Sequence, residues 1–390
     1  MSIDLARLRA ETDACDRILH FNNAGAALPP RPVIEAVTGH LRREAEIGGY
    51  EAEHEAAGRL AQVYRSTATL LNASPSEIAL VENATRAWDM AFYALRFQPG
   101  DRILTARAEY ASNYLAFLQV ARRTGAEIVT IPCDEDGALS LGALERLIDD
   151  HVKLIAVTHV PTNGGLVNPA EGIGRLARAA GVPFLLDACQ SVGQMPIDVE
   201  AIGCDMLSAT GRKYLRGPRG TGFLYVRQSL VEQLEPPFLD LHAATWVSPD
   251  AYEIRPDARR FENWESYVAG RLGLGAAVDY ALDIGLDAIA ARIGMLAGRL
   301  RRMLDEVPGV VVRDLGARHC GIVTFTRADE AADALKARLA GLRMNVSVSR
   351  PSSTLLDFAA RGIPEVVRAS VHYYNTEDEV DRFVAAVAAA

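Results

Sequence analysis

Residues 205–222 read DMLSATGRKYLRGPRGTG, and this stretch decides the fold. It begins with an apolar run of strand length, Asp205–Ala209, which the chain leaves through Thr210-Gly211-Arg212-Lys213. Lys213 is one of only three lysines, whereas lysine and arginine together number 41. Ligands of open α/β sheets bind at the carboxyl ends of the strands. Most lysines lie on the surface, but the rarity and position of Lys213 make it a candidate functional group.

Apolar runs of strand length alternate with helical patterns on both sides of this stretch. Besides Asp205–Ala209, the predicted strands are Ile78–Glu82, Arg102–Thr105, Glu127–Ile131, Lys153–His159, Pro183–Asp187 and Gly222–Val226. Several of them are apolar throughout, which is typical of strands covered on both faces. We therefore predict an α/β fold with a mostly parallel, seven-stranded sheet.

The second half of the chain has a different pattern. Residues 236–260 are irregular, and a long helix is predicted from about Glu262 to Ile284. Beyond it, candidate strands cover 310–313, 321–326 and 346–348, with helices near 329–340 and 377–388. We predict a large domain of residues 20–285 and a smaller α/β domain that combines residues 286–390 with an N-terminal arm, residues 1–19.

The composition excludes several classes of protein. Hydrophobic residues make up 49% and charged residues 23%, which is ordinary globular composition. The formal net charge is -9 and there is no basic block, so neither nucleic acid nor an anionic membrane is a predicted partner. No apolar stretch approaches the roughly 18 residues that span a bilayer, and the N-terminal residues show no signal-peptide core. We therefore predict a cytoplasmic protein.

The cysteines and histidines do not form a metal-binding pattern. There are five cysteines, with no Cys-x-x-Cys pair, which predicts reduced thiols. The eight histidines include no pair spaced i, i+3 or i, i+4. The sequence therefore predicts no metal site.

Polar groups follow three other predicted strands. Residues 83–85 (Asn-Ala-Thr) open a helix, where they form either an anion site from free backbone N–H groups or, more commonly, an ordinary cap. Residues 161–165 are a polar turn with two glycines, and Asp187 ends a strand, where aspartate is most often a helix cap. Together with Lys213, these are the groups that pyridoxal 5′-phosphate requires: a phosphate cradle, an amine for a covalent imine and a carboxylate for the pyridine nitrogen.

In this combination the chain resembles the class V aminotransferase and cysteine desulfurase family, within fold type I of the pyridoxal-phosphate enzymes. Residues 187–190 resemble its Asp-x-x-Gln, and residues 210–213 its Ser-Gly-His-Lys, with Arg212 in place of histidine. Residues 83–85 resemble its phosphate-binding Gly-Thr-Thr turn. Residues 260–262 resemble the Arg-Phe-Glu of its dimer-facing helix, and 367–376 its C-terminal Arg-Ala-Ser and Tyr-Asn-Thr.

The resemblance implies a cofactor, a partner and roles for individual residues. It implies pyridoxal 5′-phosphate, a small amino-acid substrate and a homodimer with its sites at the interface. Lys213 would carry the cofactor and act as the base toward Cα, Asp187 would bind the pyridine nitrogen, and Arg368 would bind the substrate carboxylate. The predicted cofactor-binding residues are Asn83, Ala84, Thr85, Tyr110, Thr162, Asn163, Asp187, Gln190, Thr210, Arg212 and Lys213.

Two of these assignments have alternatives. The family's ring-stacking histidine falls near Tyr110, which is either the stacking aromatic or a core tyrosine. Thr162 and Asn163 compete for the polar contact with the cofactor's ring oxygen.

Departures from the family pattern bear on the reaction. Cysteine desulfurases carry a nucleophilic cysteine shortly before the C-terminal arginine, but residues 350–355 contain none. Residues 44–50, 211–220 and 261–265 are similar to isopenicillin-epimerase-like members and to carbon–sulfur lyases of ergothioneine biosynthesis. We therefore predict a carbon–sulfur lyase that catalyses β-elimination from a cysteine-type substrate. The alternatives are a class V aminotransferase, an amino-acid epimerase or, because of Arg212, a non-catalytic pyridoxal-phosphate-binding protein.

Overall fold

The computed structural model describes residues 3–389. The strands are β1 (Leu19–His20), β2 (Ile78–Val81), β3 (Arg102–Ala106), β4 (Glu127–Ile131), β5 (Val152–Thr158), β6 (Phe184–Asp187), β7 (Met206–Thr210), β8 (Gly222–Val226), β9 (Ala244–Ser248), β10 (Ala251–Ile254), β11 (Val310–Val312), β12 (Ile322–Arg327), β13 (Met344–Asn345), β14 (Ser347–Ser349) and β15 (Val366–Ser370). The helices are α1 (Leu5–Ala10), α2 (Arg31–Ile47), α3 (Gly49–Leu71), α4 (Ala84–Phe92), α5 (Ala111–Thr124), α6 (Leu141–Leu147), α7 (Ala170–Ala180), α8 (Val199–Ile202), α9 (Gln228–Val231), α10 (Val268–Ile284), α11 (Leu286–Asp305), α12 (Ala332–Gly341), α13 (Leu355–Arg361) and α14 (Glu377–Ala388).

A seven-stranded sheet has the order β2-β8-β7-β6-β5-β3-β4. Strand β8 is antiparallel to both of its neighbours, and the other adjacent pairs are parallel. This arrangement confirms the predicted α/β fold with a mostly parallel sheet. The predicted strands agree with the observed ones to within a residue at each end.

The central strands are covered on both faces, as their apolar sequences predict. Successive residues of a strand point to opposite faces, and on β6 Leu185 and Leu186 belong to two different buried clusters. Helix α7 contributes Ile173 to the cluster of Leu186, and helix α4 contributes Ala87 to the other. Each buried leucine or isoleucine contributes about 1.5–3 kcal/mol. The sheet is therefore stabilised by packing on both of its faces.

Strands β2, β5, β6 and β7 run in the same direction, so their carboxyl ends meet at one edge of the sheet. Asn83 follows β2, Thr158 ends β5, Asp187 ends β6 and Thr210 ends β7. The edge therefore brings together residues that are far apart in the sequence.

The region between the large sheet and α10 differs from the sequence-based expectation. Residues 236–260 are not wholly irregular, because β9 and β10 form an antiparallel hairpin. Helix α10 begins at Val268 rather than at Glu262. The buried carboxylate of Glu262 accepts hydrogen bonds from Leu80 N at 2.7 Å and from the Tyr64 hydroxyl at 2.9 Å. These contacts hold Glu262 in an extended conformation, which delays the helix.

A second sheet, of order β11-β12-β15-β14, is antiparallel throughout. Strand β15 carries Arg368 at its centre, in register with Thr324 and Ser347. The short strand β1 pairs in parallel with β13, and Asn22 forms a bridge with Ser370. The chain's first strand is thus attached to its C-terminal region.

Three further properties concern residues 3–389 only. No helix there combines the length and apolar character that crossing a membrane requires. No group of three or more His, Cys, Asp or Glu side chains in that range is arranged to hold a metal ion. The five cysteines are all free thiols.

Candidate active site

Lys213 lies in the turn that follows β7, inside a cavity of about 400 Å³ at the carboxyl edge of the large sheet. The cavity is lined by Asn83, Ala84, Thr85, Tyr110, Thr158, Val160, Thr162, Asp187, Cys189, Gln190, Thr210, Arg212 and Lys213. Burial lowers the pKa of the Lys213 amine. A buried amine with a lowered pKa is more available in its neutral, nucleophilic form.

One end of the cavity is formed by the N-terminus of α4. The Asn83 side chain caps this helix by accepting a hydrogen bond from Arg86 N at 2.9 Å, while Ala84 and Thr85 line the cavity. A Cβ atom on Gly222 would lie 2.9 Å from the carbonyl carbon of Asn83, so only glycine allows β8 to approach this turn so closely. Residues 83–85 thus combine the helix cap with a position suited to an anion.

Asp187 is buried at the end of β6, with 5% of its surface exposed. Its Oδ1 atom accepts a hydrogen bond from Cys189 N and its Oδ2 atom one from Asn113 Nδ2, both at 2.9 Å. Lys213 and Cys189 line the same cavity as Asp187. The carboxylate is therefore held in one orientation beside the amine.

A second cavity of about 300 Å³ shares Tyr110, Thr162, Arg212 and Lys213 with the first and adds Arg368. The Arg368 guanidinium donates to Thr162 Oγ1 at 2.6 Å, and its Nε atom is buried without a partner. Burial, reinforced by the neighbouring Arg212, lowers the pKa of Arg368 to about 10, so the group stays cationic at neutral pH.

Gln190 extends this network. Its Nε2 atom donates to Ala24 O at 3.1 Å and to Thr162 Oγ1 at 3.3 Å, while its Oε1 atom is buried without a partner. Thr162 therefore stands between Arg368 and Gln190. Unpaired buried polar atoms are costly, and these two, Gln190 Oε1 and Arg368 Nε, belong to residues that line the cavities.

The remaining predicted residues differ in their burial and in their contacts. Arg212 donates to the carbonyl of Gly25 and lines both cavities. Thr210 is buried, and its hydroxyl donates to Thr221 O at 3.3 Å. Tyr110 is 37% exposed at the mouth of the site, so it is not a core tyrosine.

Of the two candidates for the ring-oxygen contact, only Thr162 lines the larger cavity. The Asn163 amide instead donates to the hydroxyls of Ser353 and Thr354, at 2.9 and 3.0 Å. Asn163 thus holds the loop that begins at Arg350.

Several residues that line or support the site were missed from the sequence. Thr158, Val160 and Cys189 line the cavity, and the N-terminal loop supplies carbonyls through Ala24 and Gly25. The signal for Cys189 was its place beside Asp187 in the same motif. The loop gave only a weak signal, because small residues in a turn have many explanations.

A larger cavity, of about 510 Å³, lies beside the N-terminus of α7. Its lining includes His159, Arg175 and Arg318, and it has no residue in common with the cavity around Lys213. None of the predicted site residues lies there. The candidate active site is therefore the cavity of about 400 Å³ around Lys213.

Comparisons with known proteins identify the family of the chain. The sequence profile of the family Aminotransferase class-V matches residues 19–383. A probable cysteine desulfurase of Xylella fastidiosa (strain 9a5c) is 34% identical over 405 aligned residues, which cover 99% of this chain and 95% of that protein. A probable cysteine desulfurase of Methanothermobacter thermautotrophicus is 30% identical over 368 residues, which cover 93% of this chain and 92% of that protein.

Solved structures give the same result. The apo cysteine desulfurase from Thermococcus onnurineus NA1 matches with a TM-score of 0.92 and 28% identity, covering 100% of this chain and 98% of that one. A complex of the cystine C–S lyase C-DES with its reaction product cysteine persulfide has a TM-score of 0.87 at 24% identity and covers 97% and 99% of the two chains, a likeness of fold alone. The family profile and the two curated relatives span nearly the whole sequence and confirm the resemblance seen in its motifs: this chain belongs to the Aminotransferase class-V family.

Proposed function

We propose that the protein is a pyridoxal-phosphate-dependent carbon–sulfur lyase that acts on a cysteine-type amino acid. The observation that carries the proposal is the grouping of Lys213, Asp187 and Arg368 around two adjoining cavities at the carboxyl edge of the sheet. The relatives named cysteine desulfurase support chemistry at a carbon–sulfur bond.

The residues present fit pyridoxal 5′-phosphate. The cavity has a helix N-terminus at one end, a buried amine in its wall and a buried amide oxygen, Gln190 Oε1, without a partner. Residues 83–85, with Thr210 and Arg212, would hold the phosphate, Lys213 would carry the aldehyde carbon, and Asp187 would face the ring nitrogen. Tyr110 would lie against the ring, and Thr162, which lines the cavity as Asn163 does not, would meet the ring oxygen. When bound, the cofactor supplies a sink for the negative charge that develops at Cα.

The chain's own groups would then bind the substrate and move its proton. Arg368 pairs with the α-carboxylate, which is a bidentate contact suited to a guanidinium, and Thr162 fixes the orientation of Arg368. The Lys213 amine would take the proton from Cα of the bound substrate. Burial lowers the pKa of this amine, which favours the neutral form that a base requires.

The fate of the sulfur distinguishes a lyase from a desulfurase. Ser352 and Ser353 of the loop that follows Arg350 line the substrate side of the site, and no cysteine lies in that loop. The thiol of Cys189 lines the cavity, but burial and Asp187 raise its pKa, which makes it a poor nucleophile. The carbon–sulfur bond would therefore break with its electrons going to a sulfur that leaves, and the three-carbon remainder would take up water to give pyruvate and ammonia.

Product analysis tests the proposal. Incubation of the pyridoxal-phosphate-loaded protein with cysteine and with S-substituted cysteines is expected to release pyruvate and ammonia in equal amounts, and the Lys213→Ala variant to release neither. Alanine with enzyme-bound sulfur would indicate a desulfurase. Consumption of an added keto acid would indicate an aminotransferase, and loss of optical activity an epimerase. No turnover despite bound cofactor would indicate a binding protein without catalysis.

We also propose that the protein is a homodimer whose contact surface borders the site. An aromatic surface of exposed side chains comprises Phe238, Leu241, Trp246, Tyr252 and Trp264. Trp246 is 74% exposed and is the partner of Tyr252 in the β9-β10 hairpin, and exposed apolar patches mark interaction sites. The guanidinium of Arg86, which is next to Thr85, lies 5.0 Å from the Phe238 ring and so connects this surface to the cavity.

Light scattering tests the dimer. The parent is expected at twice the chain mass of 42.2 kDa, and the double variant Trp246→Ser, Trp264→Ser at the chain mass. Leu342→Ser is the matched control, because Leu342 is 53% exposed but lies outside the aromatic surface. A parent that stays monomeric at micromolar concentration would contradict the proposal.

We propose a cytoplasmic location as well. The support is that all five cysteines are free, as expected where cellular reductants keep thiols reduced. Recovery of the native protein in a membrane or secreted fraction would contradict this location.

A further inference from the structure

The side chain behind Asp187 is the amide of Asn113, which lies in the first turn of α5. Its Nδ2 atom donates to Asp187 Oδ2 at 2.9 Å and to Glu109 Oε1 at 2.8 Å. Both amide hydrogens are therefore used, each by a different carboxylate. The three side chains are 3–5% exposed, so water does not compete for these bonds.

Glu109 fixes this amide because it is itself held by many donors. It accepts hydrogen bonds from Thr158 N at 2.9 Å, Tyr110 N at 3.0 Å and Thr105 Oγ1 at 3.2 Å, and from the Thr158 hydroxyl. With Asn113 these make five donors, contributed by β3, β5 and the start of α5. A carboxyl group bound in this way cannot rotate, so the position of its Oε1 atom is set by the fold.

The orientation of the Asn113 amide follows from these contacts. If the amide were flipped, its oxygen would face two carboxylate groups, which offer no hydrogen while ionised. The observed orientation is thus the one that places an N–H group on Asp187. Cys189 N, on the other oxygen of Asp187, completes the pair of donors.

We propose that Asn113, held by Glu109, is a positioning residue that fixes the orientation and charge of the Asp187 carboxylate. The inference rests on the proposed function, because Asp187 matters in this way only if it faces a cofactor ring nitrogen. An N–H donor stabilises the ionised form of a buried carboxylate. Asn113 would therefore favour the state in which Asp187 is ionised and the proton stays on that nitrogen, without touching cofactor or substrate.

Few titratable groups other than Asn113's partners could change the charge of Asp187. The titratable groups that face it are Glu109 through the amide, Cys189 on its own turn and Lys213 across the cavity. Burial raises the pKa of Glu109 to about 7, with Asp187 acting in the same direction. The bridging amide lies between two acidic groups that would otherwise repel one another.

The variant Asn113→Ala tests the inference through the bound cofactor rather than through turnover alone. The visible absorption of the bound cofactor is expected to shift. When this absorption is followed against pH, the midpoint of the transition is expected to rise by about one pH unit, which is equivalent in free energy to one hydrogen bond to a charged group. The dissociation constant for the cofactor is expected to rise, and kcat to fall about 10- to 100-fold, the usual range when an orienting group is removed. KM for the amino acid is expected to change little, because Arg368 is untouched.

A matched control separates positioning from stability. Asn168 is also buried, donates to Thr158 O at 2.8 Å and accepts from Leu139 N at 3.2 Å, without a contact to Asp187. Asn168→Ala is expected to lower stability as Asn113→Ala does but to leave the cofactor spectrum unchanged. Glu109→Gln, which keeps an oxygen for Asn113 but removes the charge, is expected to give a smaller shift in the same direction and serves if Asn113→Ala does not fold.

The outcomes are distinguishable. Parental spectra and parental kcat in both the Asn113 and the Glu109 variants would overturn the inference, and so would an equal spectral shift in Asn168→Ala. Failure of the proposed function would instead appear in the parent, as absent cofactor binding or as a different product.

Discussion

Arg368 is a buried guanidinium whose hydrogen-bond partners, Thr162 and Asn22, carry no charge. A cation in this state gains most from an anion that enters the cavity. Replacing it by lysine keeps the charge but loses the planar, two-point contact with a carboxylate. Arg368→Lys is expected to raise KM for the amino acid at least about 10-fold, and Arg368→Ala more, with the cofactor spectrum unchanged. Steady-state kinetics measure this; an unchanged KM in Arg368→Ala would place the carboxylate elsewhere.

His159 makes a prediction about stability and pH. Burial lowers the pKa of His159 to about 3, from an ordinary value of 6.5. Between these values the unfolded chain binds a proton that the folded chain does not, so stability falls as the pH falls from 6.5 toward 3. At pH 5 the penalty is about 2 kcal/mol. Glu109 acts in the opposite sense between pH 7 and 4.5, because its pKa is raised on folding to about 7.

Comparison of variants isolates the His159 contribution. The drop in unfolding free energy between pH 7.5 and pH 5 is expected to be smaller in His159→Gln than in the parent by that amount. His151 is exposed, so His151→Gln is the control and should lose as much stability as the parent. Urea titrations at the two pH values provide the measurement. Equal drops in His159→Gln and the parent would show that His159 does not titrate in this way.

Site residues at strand ends could be predicted from the sequence. The residues that hydrogen-bond to them and hold them in place could not. Lys213 and Asp187 were identified because a strand end is visible in a local pattern, and the parallel order of the sheet then brings the ends together. Glu109 and Asn113 depend on Thr158 and Asp187, which come from strands far away in the sequence. No local periodicity encodes such a contact, since it arises only when β3, β5 and β6 are assembled.

Helix α7 packs against the end of α8 through a glycine. A Cβ atom on Gly174 would lie 1.8 Å from Ile202 O, a backbone atom that cannot move aside alone. Gly174→Ala is therefore expected to destabilise the fold by about 3 kcal/mol or more, at or above the upper end for overpacking. The control is Gly294→Ala in α11, where a Cβ atom meets nothing within 4 Å. That change should stabilise the fold by about 0.5–1 kcal/mol through helix propensity, as measured by thermal unfolding.

The sequence predicted the strands of the large sheet more accurately than it predicted the region of the β9-β10 hairpin and the start of α10. The periodicity of residues 262–284 favours a helix, but the side chain of Glu262 is committed to Tyr64 and Leu80, and Asp240 accepts from Trp264 N at 2.7 Å. Arg260 is likewise tied to the carbonyls of Val231 and Leu234. Tertiary hydrogen bonds therefore override helix propensity over these residues.

For the whole molecule we propose two domains, with residues 20–285 in one and residues 1–19 with 286–390 in the other. The second sheet is built entirely from strands beyond residue 309, and the N-terminal arm is attached to this part through Arg9, which donates to Glu379 at 2.9 Å. One buried cluster nevertheless continues across the boundary, since it contains both Leu186 and Val323. The two parts are therefore expected to unfold together.

Arg216 has a strained backbone conformation and also connects the two parts of the chain. It has a φ of 64°, in the left-handed region, yet it is 1% exposed. Its guanidinium donates to Thr12 Oγ1 at 2.6 Å, to Leu28 O at 2.7 Å and to the Tyr373 hydroxyl at 2.9 Å. Because Arg216 N also donates to Lys213 O at 2.9 Å, the same residue closes the turn that carries the candidate catalytic lysine.

Substitution by glycine separates the strain from the contacts. Arg216→Gly would relieve the left-handed backbone but remove three hydrogen bonds from a charged, buried group, so unfolding free energy is expected to fall by about 3–5 kcal/mol. Arg343 has a φ of 59° but is exposed, so Arg343→Gly should keep stability within about 1 kcal/mol of the parent. Chemical denaturation gives both values, and cofactor loading reports on the Lys213 turn. If the two variants changed the unfolding free energy equally, the side-chain hydrogen bonds of Arg216 would not stabilise the contact between the two parts of the chain.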